Sequence, residues 1–242
     1  MLKRGSFLAR TVNEQKHAMK QNEILDAFQR LVVTKGYEQT AIQDILDELG
    51  ISKGAFYHYF SSKQALLDSF IDRSVGETEK ALMLLAQDAR LSALEKLNRF
   101  FPTISQLKVE RLDFWLAVMR VWYNDSNAIV RDKVNSEVVR RLVPLMAIII
   151  RQGVDEGVMT TGFPDEVSEV ILTLVQGLSN VIARMLLEHS SAVNALEKIN
   201  TWISAYTELL ERVLGTSKDA IHLISPGAID SWLTPSLMSK EP

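Results

Sequence analysis

The sequence predicts an all-α protein: an N-terminal helix-turn-helix domain of three or four short helices, then a larger C-terminal helical bundle. Three observations predict it. Apolar residues recur at helical spacing through most of the chain, and no run of alternating residues offers a strand. Several capped segments crowd into about fifty residues before Gly76, two of them joined by a glycine-containing turn. Beyond Gly76 the helical patterns become longer and more apolar.

The first helix is readable in Glu23–Lys35, where Ile24, Leu25, Phe28, Leu31 and Val32 recur on one face and Gly36 supplies a C-terminal stop. Thr11-Val-Asn-Glu14 has capping-box form, which allows this helix to begin a few turns earlier. Thr40-Ala-Ile-Gln43 has the same form and opens a second helix with Ile42, Ile45, Leu46 and Leu49 as its apolar stripe; Gln43, Asp44, Asp47 and Glu48 face outward. Gly50 permits a sharp turn. Ser52 caps a very short third helix, and Ser61-Ser-Lys-Gln64 caps a fourth that runs to about Ser74. In the larger part, breaks are expected near Pro102, Asn124–Asn127, Gly153–Pro164 and Ser190–Ser191, with a kink or a new start at Pro144. The divisions expected are a basic arm over 1–21, a helix-turn-helix domain over 22–73, a helical effector-binding and dimerisation domain over 74–215, and a tail over 216–242. Ile221, Leu223, Ile224, Trp232 and Leu233 give the tail apolar residues with which to dock partly on the bundle.

Composition narrows the class. With 242 residues, 47% of them hydrophobic, the chain can bury a substantial core and falls outside the disordered class. The lack of cysteine excludes disulfides and thiolate metal sites and fits a reducing compartment. MLKRGSFLAR scatters charges where a secretory leader would be apolar. The longest charge-free apolar stretch, roughly Val170–Ala183, is shorter than the ~18 residues that span a bilayer. The expectation is a cytoplasmic protein without a membrane partner. Net charge is −3, but residues 1–22 set Lys3, Arg4, Arg10, Lys16 and Lys20 against Glu14, whereas residues 74–242 hold 17 basic and 21 acidic side chains. A basic end on an acidic remainder suits a protein that offers one end to a polyanion.

The stretch Phe56-Tyr-His-Tyr-Phe60 concentrates five rings in the third helix. Side chains advance by ~100° per residue, so the five cannot share a face. Phe56 and Phe60 fall together and are the natural core anchors, with Tyr59 at the edge of that side. Gly54, Ala55, Tyr57 and His58 form the outward face, and Lys53 stands at the open end of the helix. Such a face suits a DNA groove. Small residues admit close approach, Ala55 can meet a thymine methyl, and Tyr57, His58 and Lys53 can reach bases or phosphates. Tyr59 and Lys63 are placed for backbone contacts.

TAIQDILDELGISKGAFYHYFSSKQALL resembles the DNA-binding domain of the tetracycline-repressor (TetR) family of bacterial transcriptional regulators, through Thr40, Gly50, Ser52, Gly54, Tyr57, Tyr59, Phe60, Lys63 and the pair Leu66–Leu67. The resemblance covers roughly residues 22–72. It implies groove contacts by Lys53, Gly54, Ala55, Tyr57 and His58 and phosphate contacts by Thr40, Tyr59 and Lys63; Gln43 and Ser52 complete the candidate DNA-binding set. It also implies an all-helical homodimer that binds double-stranded DNA at a palindromic operator, acts by default as a repressor, and responds to a small effector.

Two C-terminal segments support a dimer. Residues 165–187 carry Val170, Ile171, Leu174, Leu178 and Val181 around Gly177, and residues 195–214 carry Trp202, Ile203, Tyr206 and Leu210. These ten are the candidate interface in a four-helix arrangement with symmetry mates. Candidates for a pocket taking a hydrophobic or amphipathic effector are Phe101, Ile104, Phe114, Trp115, Met119, Trp122, Tyr123, Met146, Ile150 and Met185, with Arg111, Asp113, Arg120 and Asn124 as orienting polar groups. The fourth helix would connect sensor to reader. No enzyme, cofactor or metal is expected: the four histidines are scattered, Asp219 and His222 are a lone pair at metal-ligand spacing, and no phosphate-binding glycine loop or nucleophile elbow appears. The rival reading is a helical dimer that uses the motif only as a scaffold for protein partners. A scaffold, however, has no need to keep residues 53–58 small, aromatic and cationic on the outward face.

Overall fold

A computed structural model describes residues 4–109, 127–188 and 192–224, with side chains over 15–106, 127–185 and 196–224. The described residues form eight helices and no strand: α1 (Arg4–Lys35), α2 (Ile42–Leu49), α3 (Lys53–Tyr59), α4 (Lys63–Gln87), α5 (Ala93–Val109), α6 (Ala128–Asp155), α7 (Pro164–Glu188) and α8 (Ala192–Leu214). They divide into two compact units. The first runs to Arg73 and includes a later stretch ending at Asp132; the second takes up the remainder.

In the first unit, α1, α2, α3 and the start of α4 enclose Ile24, Phe28, Ile45, Phe56, Leu66 and Leu67, all fully buried. Ile45 and Leu46 supply the buried part of the α2 stripe, whereas Ile42 and Leu49 are half-buried at its edges. Gly50 ends α2 in the left-handed region (φ 61°), its N–H and that of Ile51 both returning to the Leu46 carbonyl. The Ser52 hydroxyl then accepts from the Ala55 N–H at 3.2 Å and starts α3. Ion pairs brace the helices from outside: Arg30 to Glu48 at 2.6 Å, Lys35 to Asp44 at 2.5 Å, and Arg73 to Asp26 at 2.8 Å.

Several local expectations change. Residues 4–21 are helical and continuous with α1 rather than a separate arm, so Thr11 lies inside a helix instead of starting one. The α2 box is closed one residue later than expected: the Asp44 carboxylate accepts from the Ala41 N–H at 2.6 Å, and Thr40 does not cap. Ser62, not Ser61, caps α4, its hydroxyl accepting from the Ala65 N–H at 3.0 Å. α4 does not stop near Ser74 but continues to Gln87. A mid-helix glycine such as Gly76 costs only about 1 kcal/mol, and burial of Val75 and Leu82 on either side offsets that. Pro102 and Pro144 likewise lie inside α5 and α6; each removes one backbone donor, while Phe100, Phe101, Leu145 and Met146 beside them are buried.

In the second unit one apolar cluster joins α4, α5, α6, α7 and α8, centred on Leu82, Leu97, Phe100, Met146, Ile149, Ile171 and Leu214. Lys96, buried in this unit, donates to the Ala86 carbonyl at 2.8 Å and to Gln152 Oε1 at 2.6 Å, fastening the end of α4 to α5 and α6. The Thr160 N–H donates to the Leu214 carbonyl at 2.8 Å, closing the end of α8 on the loop that leads into α7. The chain beyond α8 docks as far as it is described: Ile221 and Leu223 are buried, and Asn98 bonds the Ala220 carbonyl (2.8 Å) and the His222 N–H (2.7 Å). Residues 164–185 pass the length and composition of a membrane-crossing helix once the charged Asp165, Glu166, Glu169 and Arg184 around the charge-free stretch are admitted. Ile171, Leu172, Leu178 and Ile182 of the same helix are buried in this unit's core.

Two predictions follow from these features. A Cβ at residue 50 would meet no neighbour, so Gly50→Ala should be penalised only for its left-handed backbone, about 1–2 kcal/mol. Chemical denaturation measures it, and an unchanged midpoint would refute the turn. Hydrogen bonds from Arg140 and then Arg141 hold the Glu137 carboxyl down at about 2, and Arg141 also pairs with Glu79 of α4 at 3.1 Å. A depressed carboxyl stabilises the fold above its unfolded pKa and loses that effect as pH falls through its folded one. Stability should therefore decline from roughly pH 4.5 towards 2, with a smaller decline in Glu137→Gln, measured as unfolding midpoint against pH.

Candidate nucleic-acid interface

Phe56 is fully buried and Phe60 nearly so, and these two rings set the rotation of α3. Phe60 itself is extended and receives no further helical turn. With the anchors inward, Lys53, Gly54, Tyr57 and His58 emerge exposed, and Ala55 is half-buried beside them. Tyr57 is 44% exposed beside the fully buried Phe56. Gln43 lies exposed on α2 and donates to Asp47 at 2.7 Å. Residues 43, 53, 54, 57 and 58 thus lie on solvent-facing parts of the two helices of the motif.

Three other candidates are committed elsewhere. Thr40 is 1% exposed and its hydroxyl donates to the Gly36 carbonyl at 2.7 Å, so it closes the α1–α2 loop and is not presented to a phosphate. The Ser52 hydroxyl is the α3 cap. Lys63 is half-buried, its Nζ 4.2 Å from the centre of the Tyr37 ring and 3.4 Å from the Glu38 carbonyl. Burial pushes its ammonium pKa down, and Glu38 and Asp44 act against that shift. Lys63 therefore braces the loop through its side chain.

Tyr59 is half-buried, as its wheel position implies, but its neighbour was not anticipated. His17 of α1 lies 4.7 Å from the Tyr59 ring and 5.6 Å from the His58 ring. The signal for it was in the sequence: His17 precedes Ile24 and Phe28 by seven and eleven residues, the spacing of one helix face. The second missed residue is Asn127, 1% exposed, whose Oδ1 accepts from the Tyr37 N–H at 2.7 Å. No sequence pattern marks a bond across 90 residues.

In the second unit, Phe101, Ile104, Met146, Ile150 and Met185 share the apolar cluster. Phe114, Trp115, Met119, Trp122 and Tyr123, with the polar candidates Arg111, Asp113, Arg120 and Asn124, lie outside the described residues. Of the candidate interface, Ile171, Leu178 and Leu210 are buried in their own chain and cannot face a partner. Gly177 also has a use within the chain, since a Cβ there would lie 3.3 Å from the Tyr206 hydroxyl oxygen of α8. Val170 and Trp202 stay exposed, at 48% and 41%, and Leu174, Val181, Ile203 and Tyr206 are half-buried.

A short helix held by two buried rings behind a tight glycine turn, joined to a separate helical unit, defines the class of helix-turn-helix proteins with a second all-α domain. The sequence matches the family model for bacterial regulatory proteins of the tetR family over residues 24–70, and that for the tetracyclin repressor-like C-terminal domain over residues 119–195. The chain belongs to the TetR family. Over 68 residues it is 43% identical to an uncharacterized HTH-type transcriptional regulator in the lacX 3′ region of Lactococcus lactis subsp. lactis, a match covering 27% of this chain and 35% of that one. Over 144 residues it is 28% identical to the HTH-type transcriptional regulator EthR of Mycolicibacterium smegmatis, covering 52% of this chain and 64% of that one. The chain thus spans about a third of the length of the first relative and just under two thirds of the second. A solved SmeT–triclosan complex shares the fold, with a TM-score of 0.59 at 16% identity over 85% of this chain and 97% of that one.

Because the Thr40 hydroxyl serves the Gly36 carbonyl, Thr40→Val should cost about 1–2 kcal/mol of stability and leave any affinity of the folded protein for DNA unchanged. A loss of affinity with stability unchanged would restore Thr40 to the contact surface.

Proposed function

We propose that this protein is a sequence-specific, ligand-responsive transcriptional repressor that acts in the cytoplasm as a homodimer on a palindromic operator. The observation that carries the reading is the outward set Lys53, Gly54, Tyr57 and His58 on a helix locked by Phe56. Gly54 lets the backbone approach base edges, Tyr57 and His58 offer hydrogen-bonding groups to bases, and Lys53 offers a charge to a phosphate or a guanine. Gln43 extends the surface onto α2. Family membership supports the assignment, and the two relatives described above are named as HTH-type transcriptional regulators.

A seven-residue helix reads few base pairs, so specificity calls for two copies on half-sites one or more turns apart, ~34 Å per turn. Val170, Leu174, Val181, Trp202, Ile203 and Tyr206 of α7 and α8 are the surface we assign to pairing. The effector is a hydrophobic or amphipathic small molecule taken by the second unit, beside Phe101, Ile104, Met146, Ile150 and Met185. The neighbouring fold was solved with triclosan, an apolar phenol, in SmeT, which supports that class. An effector that binds better to a dimer with wrongly spaced readers must weaken operator binding by the same factor.

Selection of bound duplexes from a random library by the purified chain should return a palindrome. Tyr57→Ala with His58→Ala should abolish that selection while helical content and dimer mass persist. Lys53→Ala should weaken binding to all sequences and lower the slope of log affinity against log salt by about one unit. Unselective recovery by a folded dimer would overturn the reading.

A further inference from the structure

We propose that His17, on α1, is a positioning residue of the DNA-reading surface: its ring fixes those of His58 and Tyr59, so the upstream turns of α1 belong to the recognition apparatus. The inference rests on the reading of α3 given above.

The described side chains of α1 are of two kinds. From Ile24 onward they alternate between the buried core and solvent, whereas from Gln15 to Glu23 none is buried. This upstream part nevertheless reaches α3. His17 is half-buried, its ring 4.7 Å from that of Tyr59 with the planes inclined at 44°, and 5.6 Å from that of His58 with the planes at 73°. His58 and Tyr59 meet each other at 5.1 Å, so the three rings close a triangle. Two of them are chain neighbours on α3; the third comes from 41 residues upstream and is the member that confines the pair.

Confinement matters because His58 is otherwise an exposed side chain on a short helix, free to exchange rotamers. A reading group that must be ordered on binding forfeits affinity, and one free to move meets alternative base edges with similar energy. An imidazole can present a donor or an acceptor, and which base edge it meets depends on where the ring is held. His17 occupies one side of that ring and limits its choices. Tyr59, packed between His17 and the edge of the core, transmits the same restraint to its own hydroxyl. Lys16, exposed next to His17, and Lys20, paired with Glu23 at 2.6 Å, give these turns a basic surface beside the rings.

The test is a double-mutant cycle on the full chain. Affinities for the selected operator and for its single-base variants are measured with the parent protein and with His17→Ala, His58→Ala, both together, and His17→Phe. His17→Ala should weaken operator binding roughly tenfold, within the range of coupling between touching side chains. It should also flatten discrimination at the base pair where His58→Ala flattens it. The double variant should bind worse than His58→Ala alone by clearly less than the tenfold lost in His17→Ala, the remainder being the share that acts through Tyr59, and His17→Phe, which keeps a ring, should restore most of the discrimination. Additive losses, or a His17→Ala protein with lower stability but an unchanged base profile, would overturn the role of His17. Full binding and discrimination by His58→Ala would overturn the reading face itself, and this proposal with it.

Discussion

The burial of Phe56 is the constraint on which the recognition surface depends. α3 has seven residues, too few to be stable as a free helix in water. Its existence and its rotation therefore come from what it packs against. With Phe56 fully enclosed, the 100° step between residues sends 54, 57 and 58 outward without any further instruction. Gly50 and Ser52 act on the same outcome from the other end, one by turning the chain sharply and the other by satisfying a free N–H of the new helix. Exposed polar groups and buried rings are thus two results of one geometric setting.

Around that setting lies a polar brace that secures the loop between α1 and α2. Thr40 closes on Gly36; Tyr37 stacks edge-on against Phe28, receives Lys63 on its face and gives its N–H to Asn127; Asp44 takes both the Ala41 N–H and the Lys35 ammonium. Hydrogen bonds from Lys35 and then from the Ala41 backbone hold the Asp44 carboxyl below its usual range. Each group has a short-range reason to be polar that does not involve a nucleic acid. Polar residues near a binding surface therefore divide into those that contact the ligand and those that hold the loop, and only geometry separates them.

That division explains how far the sequence could be read. The helical class, the tight turn at Gly50, the cap at Ser52 and the inward rings all follow from local rules acting over a few residues, and the structure contains them. Lengths were less legible: Gly76, Pro102 and Pro144 weaken helices by amounts that neighbouring buried side chains outweigh. The resemblance puts Thr40 at a phosphate, and helix position puts Lys63 at one too, but in the structure both side chains make contacts with the α1–α2 loop. On α7 and α8 the periodicity showed two broad apolar faces without distinguishing a chain's own core from a partner's surface. Ile171, Leu178 and Leu210 went to the core. Spacing alone puts His17 on the core-facing side of α1, but the identity of its partners, 41 and 42 residues on, is set by packing between helices; Asn127, 90 residues from Tyr37, has no sequence signal at all.

On the proposed function, the magnitude of the Phe56 anchor also limits how the repressor can be switched. Removing a buried phenylalanine from its site costs about 3–5 kcal/mol, and rotating α3 to present another face would demand at least that of Phe56 together with the Ser52 cap. Coupling between an effector and a distant site is typically about 1–3 kcal/mol. An effector taken by the second unit, as proposed, would therefore be too weak a lever to reset α3 on its own support. It is strong enough to alter the spacing of two intact readers, because a palindrome already weights spacing: a dimer that misses one half-site forfeits the contacts of a whole helix. On the proposed function, the rigid anchor would leave the identity of the bases to α3 and regulation to the geometry between copies, so a single inflexible reading surface is compatible with a ligand-dependent response.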